Sequence, residues 1–250
     1  MLHKFQHRSP AKPQHAPYCF TAPIFCQSNK LTPPIDKSDK LDKNGKTRVQ
    51  KVVGSSLFYG CTVYYTILPV LITISTSQAV PTERTNEDIT QLLDYLSTHL
   101  DAVIRYYASD MVLYFHIDAS YLSEPQSRSR LGGHFYISSR PQDPLKMPDP
   151  TDPMPPNNLS IKSNSTIVKC VLASSAEAEF GAVLFNMSNA VPIRKTLEEM
   201  GHPQPPTYIV PDNTTAVSLA NKTKKIKQRR SKAVDMIFYW VQDRIMQQQF

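Results

Sequence analysis

Apolar positions are unevenly spaced along this chain, and each change of spacing marks a change of element. Over the first fifty residues no period develops. Pro10, Pro13, Pro17, Pro23, Pro33 and Pro34 interrupt every run, which predicts an extended Pro- and Lys-rich arm whose end, Lys37 to Lys51, is a solvated linker. From Val52 to Thr82 there is no charged residue, and Leu57 to Ile74 is dominated by apolar and aromatic side chains, so hydropathy alone nominates a membrane span. Pro69, Gly60 and several Thr and Ser interrupt the run, and two short buried helices are the better expectation. Thr85 with Asp88 then has the spacing of a capping box. Ile89, Leu92, Leu93 and Leu96 follow at helical spacing, predicting an amphipathic helix to about Leu100 that packs on the uncharged segment before it.

The second half switches to the strand period. Asp110 to Ser120 predicts a central strand with Asp118 at its end, and Gly132 to Ile137 a second strand in which Phe135 and Ile137 alternate with His134 and Tyr136. The Pro- and Asp-rich tract from Arg140 to Asn158 is a loop, and Ser165 to Leu172 a third strand. Ser174 or Ser175 caps a helix running towards Met200, kinked or split at Pro192 and ended by Gly201. Thr207 to Val210 is a fourth strand, Thr214 to Asn221 a short helix, and Ala233 to Gln247 a last helix with Val234, Phe238, Val241 and Ile245 on one face. Strands first in hairpins and then alternating with helices predict an α/β unit, a mixed sheet with helices packed on it.

Composition narrows the class. A chain of 250 residues with 40% hydrophobic residues has enough apolar material for one sizeable core or two small ones. The excess of 28 Lys plus Arg over 21 Asp plus Glu favours polyanionic partners, and it is concentrated in Lys222, Lys224, Lys225, Lys227, Arg229, Arg230 and Lys232. That run reads either as a solvated loop or as a contact for a nucleic-acid backbone. Cys19, Cys26, Cys61 and Cys170 are scattered without a metal-type pair, and no N-terminal apolar segment suggests secretion, so an intracellular, reducing compartment, cytoplasmic or nuclear, is expected. The Asn-x-Ser/Thr matches at Asn158, Asn164, Asn186, Asn213 and Asn221 are then chance.

Three acidic positions stand out. An ionised Asp118 beside a sheet core is costly unless it is paired or bound to metal. Glu177 and Glu179 open the long helix, and Asp212 follows the fourth strand. Each alone has an ordinary explanation: a turn residue, a partner of the helix dipole, a cap. In order, on three elements, they suggest hard oxygen ligands for metal ions. His116 and His134 lack zinc-type spacing, and Tyr121, Tyr136 and Tyr239 fit core positions as well as nucleic-acid stacking.

The tracts Arg48-Val-Gln-Lys-Val-Val-Gly54, Gln91-Leu-Leu-Asp-Tyr95, Tyr107-Ala-Ser-Asp-Met111, Asp118-Ala-Ser-Tyr-Leu-Ser123, Arg128-Ser-Arg-Leu-Gly-Gly133, Ala176-Glu-Ala-Glu179, Glu199-Met-Gly-His-Pro-Gln204 and Asp212-Asn213 resemble the pol polyprotein of copia-type retrotransposons. The resemblance implies the helical end of a reverse transcriptase and its connection up to about residue 105. From about residue 108 it implies a ribonuclease H-like domain, a nuclease that hydrolyses the RNA strand of an RNA·DNA hybrid. By the same resemblance Asp118, Glu179 and Asp212 would hold two Mg²⁺ (or Mn²⁺) ions, with Glu177 second to Glu179, and the rest of the polyprotein and the hybrid would be partners. It also implies a fourth carboxylate on a later helix, a place that neither Asp235 nor Asp243 takes by order. Cleavage is therefore expected to be impaired, with a nucleic-acid-binding remnant and, more remotely, a membrane-anchored protein as alternatives.

Overall fold

The computed structural model describes residues 2–19, 36–139, 158–172, 174–211 and 232–250. Two compact units divide the chain, Met1–Ile104 and Arg105–Phe250.

The first unit is helical: α1 (Lys43–Thr62), α2 (Leu68–Ser77) and α3 (Glu83–Thr98). Asp42 caps α1, its carboxylate accepting from the Gly45 N–H at 2.7 Å, so the Lys-rich run is largely helix and not linker. Residues 39–41 are also pinned, since Leu41 N–H donates to Pro81 O and Glu83 N–H to Asp39 O. The uncharged tract does break into two helices, but at residues 63–67. Pro69 opens α2, where the first turn lacks a partner for its N–H in any case. The cap of α3 likewise falls three residues before the predicted one. Thr82 and Thr85 exchange the capping-box contacts, and Asp88 lies a turn further in. Val49, Val52, Ile67, Leu71, Ile74, Ile89, Leu92 and Leu93 form the core between the three helices. Among the described residues no helix is long and apolar enough to cross a membrane.

The second unit is a four-stranded mixed sheet with helices, in the order β3-β2-β1-β4. β1 (Val112–Glu124) and β2 (Arg128–Ser138) are antiparallel, β3 (Lys162–Ile167) adds antiparallel to β2, and β4 (Tyr208–Pro211) runs parallel to β1. Two expectations need correction. β1 does not stop at Asp118. It continues through a bulge between Ser120 and Glu124, and Asp118 is an exposed mid-strand residue opposite Gly132, so the cost of burying a carboxylate does not arise there. β3 lies three residues earlier than predicted because its register is set by β2, with Phe135 opposite Lys162 and Arg130 opposite Ile167. The β-branched tract after it has the better propensity, but pairing decides.

α4 (Ser175–Glu199) starts at the Ser174 cap and runs unbroken through Pro192 to a left-handed Gly201 at φ 89°. With the last helix, α5 (Lys232–Met246), it covers one sheet face. Leu113, Phe115, Ile117 and Phe135 meet Phe180, Val183, Met187 and Val241 there. Phe115 and Phe135 are fully buried, and each such side chain contributes about 1.5–3 kcal/mol. The predicted helix Thr214–Asn221 lies outside the described residues.

α4 approaches the sheet closely at Gly133. A Cβ built there would sit 1.8 Å from Asn186 Oδ1, and Asn186, fully buried, donates to Gly132 O and Ala182 O, both at 2.9 Å. That also explains why the Asn186 sequon is a packing residue. Gly54, on the exposed side of α1, has no atom within 4 Å of such a Cβ. Gly133→Ala is expected to destabilise the second unit by about 2–4 kcal/mol, because Asn186 must move and its bonds are lost. Gly54→Ala should instead stabilise the first unit by about 0.5–1 kcal/mol. Urea unfolding checks both, with Trp240, the single tryptophan, packed at the second unit's core as its reporter and helical circular dichroism for the first.

Candidate functional site

β1 presents its side chains alternately to two faces. Leu113, Phe115 and Ile117 go to the helix-covered face, so Tyr114, His116 and Asp118 go to the other. Glu179 is on α4, buried, one turn before Val183 and two before Asn186, and so turned towards the sheet from the helix side.

Gln204 locks the start of β1 by accepting from Leu113 N–H at 2.9 Å and donating to Met111 O at 2.8 Å. Arg194, on the last turns of α4, donates to Thr207 Oγ1 at 2.7 Å and to the carbonyls of Gln204 and Pro205. Burial holds the Arg194 pKa below its usual value, partly offset by Glu198 at 3.4 Å. The C-terminal turns of α4 therefore lie beside the start of β1, and its middle beside the middle of the strand, where Asn186 meets Gly132, the partner of Asp118. β4 arrives there too: Pro211, the residue before Asp212, pairs with Ile117, the residue before Asp118. Asp212 itself lies outside the described residues, as do the side chains of the basic run from Lys222 to Lys232.

Alternation turns the exposed Asp118 away from the face that α4 covers, whereas Glu179 is buried on α4. No group of three His, Cys, Asp or Glu among the described residues is arranged to hold a metal ion. Glu177 is in the first turn of α4, where its N–H donates to the Ser174 cap.

A different polar group occupies the face of Asp118, and the sequence did not reveal it. His116 lies opposite His134, and His134 opposite Ser163, so the three form one row across the sheet. His116 Nε2 bonds Tyr136 Oη, and Ser163 Oγ bonds His134 Nδ1, both at 2.7 Å. Tyr114 stacks between Tyr136 and Tyr208 at 5.6 and 5.2 Å. Burial pushes the Tyr114 and Tyr136 phenols up to about 12. Desolvation lowers the pKa of both imidazoles, and for His134 the neighbouring His116 lowers it further. The one usable signal was the alternation of His134 and Tyr136. Ser163 was hidden by the displaced third strand, and Tyr239, one of the proposed stacking residues, is an exposed position of α5.

Comparison with family models, with curated proteins and with solved structures returns no match to the chain.

The histidine row carries a pH dependence of known sign. Both imidazoles titrate lower in the folded than in the unfolded chain, so the unfolded state binds more protons just below the ordinary histidine range. Stability of the second unit is expected to be full above about pH 7 and to fall as pH drops through about 6.5. His134, half-buried, carries more of this than the exposed His116. Urea midpoints read by Trp240 fluorescence between pH 5 and 8 check it, and His134→Gln should flatten the profile.

Proposed function

We propose that the unit Arg105–Phe250 is a ribonuclease H-type domain of a copia-type retrotransposon polyprotein, in a form that binds nucleic acid and cleaves RNA·DNA hybrids poorly. One observation carries the kinship. Asp118 and Asp212 each follow directly on a pair of register partners, Ile117 and Pro211, in neighbouring parallel strands, while Glu179 is in the second turn of the helix joining β3 to β4. Asp118 and Asp212 thus each come one residue after paired positions of β1 and β4, with Glu179 between them in sequence, in the order that the resemblance implies. The mixed sheet, three antiparallel strands with a fourth parallel to the first, is compatible with that fold.

The opposed faces of Asp118 and Glu179 support the second half of the proposal. Catalysis by two Mg²⁺ ions needs carboxylates that hold both ions about 3.5–4 Å apart. Side chains that strand alternation turns to opposite faces do not provide this. What remains is electrostatic: a chain of net charge +7 with seven cations between Lys222 and Lys232 suits a polyphosphate backbone.

With purified chain and a labelled RNA·DNA hybrid in Mg²⁺ or Mn²⁺, cleavage is expected to be no faster than that of Asp118→Asn. Robust cleavage abolished by Asp118→Asn and by Glu179→Gln would show that the two carboxylates do meet. Hybrid binding should weaken with salt, and each phosphate contact removed by neutralising Lys224, Lys225 or Arg229 should reduce the log–log slope by about 0.7–0.9. An unchanged slope would return the basic run to a solvated loop.

A further inference from the structure

Residues 2–19 are not a free arm. Leu2 and Phe5 pack against the helical core of the first unit, and the chain then follows one stripe of α3. His7 Nε2 meets Asp94 Oδ1 at 2.7 Å, with only 9% and 20% of the two side chains exposed. Gln14 N–H donates to Thr98 Oγ1 at 3.0 Å, and Gln91 Nε2 donates to Ala16 O at 2.8 Å and to Gln14 Oε1 at 3.3 Å. His15 stands edge-on to His99 at 5.4 Å. Positions 91, 94 and 98 of α3 succeed each other at three- and four-residue spacing, so they form one line beside the buried line of Ile89, Leu92, Leu93 and Leu96.

The manner of contact distinguishes this segment from the rest of the unit. Beyond Phe5 it contributes no residue to the core, and Pro10, Pro13 and Pro17 keep it extended. Two side chains of α3, Gln91 and Thr98, bond its main chain at Ala16 and Gln14. This is how a protein holds an extended peptide, through polar groups that read its backbone and a side-chain anchor at one point. Segments with few buried apolar contacts open at low cost while the core stays closed.

We propose that the Gln91, Asp94 and Thr98 stripe of α3 is a docking track for an extended peptide, and that residues 7–16 are its resident occupant, a strap that detaches without unfolding the helices. The inference is independent of the nuclease reading, because it concerns only the first unit.

Hydrogen exchange on the full chain tests it. In the wild type, the His7 and Gln14 amides, which donate to Leu2 O and Thr98 Oγ1, should be protected, though less than those of Leu92 and Leu93. The strap-side variant His7→Ala with Gln14→Pro should raise exchange of the remaining residue 7 amide by about tenfold or more and leave α3 unchanged, the mark of a local opening. Gln91→Leu, on the helix side, should do the same at Gln14. A labelled synthetic peptide of residues 2–19 should then bind the His7→Ala, Gln14→Pro chain, whose track is intact, more tightly than the wild type, whose track is taken. Wild-type exchange of the His7 and Gln14 amides at the rate of an unstructured peptide would overturn the proposal. So would joint loss of protection in the strap and α3, or equal binding of the peptide to both chains, or to neither.

Discussion

The second unit depends on how closely one helix can approach one strand. α4 sits where it does because Gly133 has no side chain and Asn186 fills that space, its amide donating to the carbonyl of Gly132 and to that of Ala182 in its own helix. A side chain added at 133 meets the Asn186 amide, which must then move and give up these bonds, and Phe180, Val183 and Met187 pack against Phe115 and Phe135 on the same face, so the disturbance reaches the core. The same contact sets where Glu179 lies, because it is two turns along the same face of α4.

A second set of contacts closes the opposite end. Gln204 completes the hydrogen bonds at the first residues of β1, and Arg194 ties α4 to the segment that enters β4. Thr207 N–H donates to Gln249 O at 3.0 Å, which brings the tail after α5 to the same place. The Glu199–Gln204 tract thereby has a structural meaning of its own. Gly201 ends the helix in the left-handed region, and Gln204 replaces a strand partner that β1 lacks at its start.

The chemistry follows from these positions and is divided between two faces. On the helix side Glu179 is buried. On the other, Asp118 shares an exposed surface with a row of His116, His134 and Ser163 and a stack of tyrosines. A strand with strict alternation cannot present Asp118 and Ile117 to the same side, so the burial of Ile117 against α4 determines where Asp118 points.

Much of the fold was legible in the residues. The alternation in Phe115, Ile117, Phe135 and Ile137, the helical recurrence of Ile89, Leu92, Leu93 and Leu96, and the Ser174 and Gly201 boundaries are local signals. They come from the period of one element and the backbone freedom of one residue, and neighbours do not change them. The division of the uncharged tract into two helices was legible for the same reason, though not the place of the break, because a proline in a first turn and one that ends a helix look alike in sequence. Register was not legible. That β3 begins at Lys162, that His134 stands between His116 and Ser163, and that β1 continues past Asp118 are results of pairing with another strand, and a shift of one residue exchanges the faces without altering the pattern of any strand alone. Sequence therefore determined most of the periodic helices and strands. Only the tertiary structure decided which face each side chain meets, since that depends on partners distant along the chain.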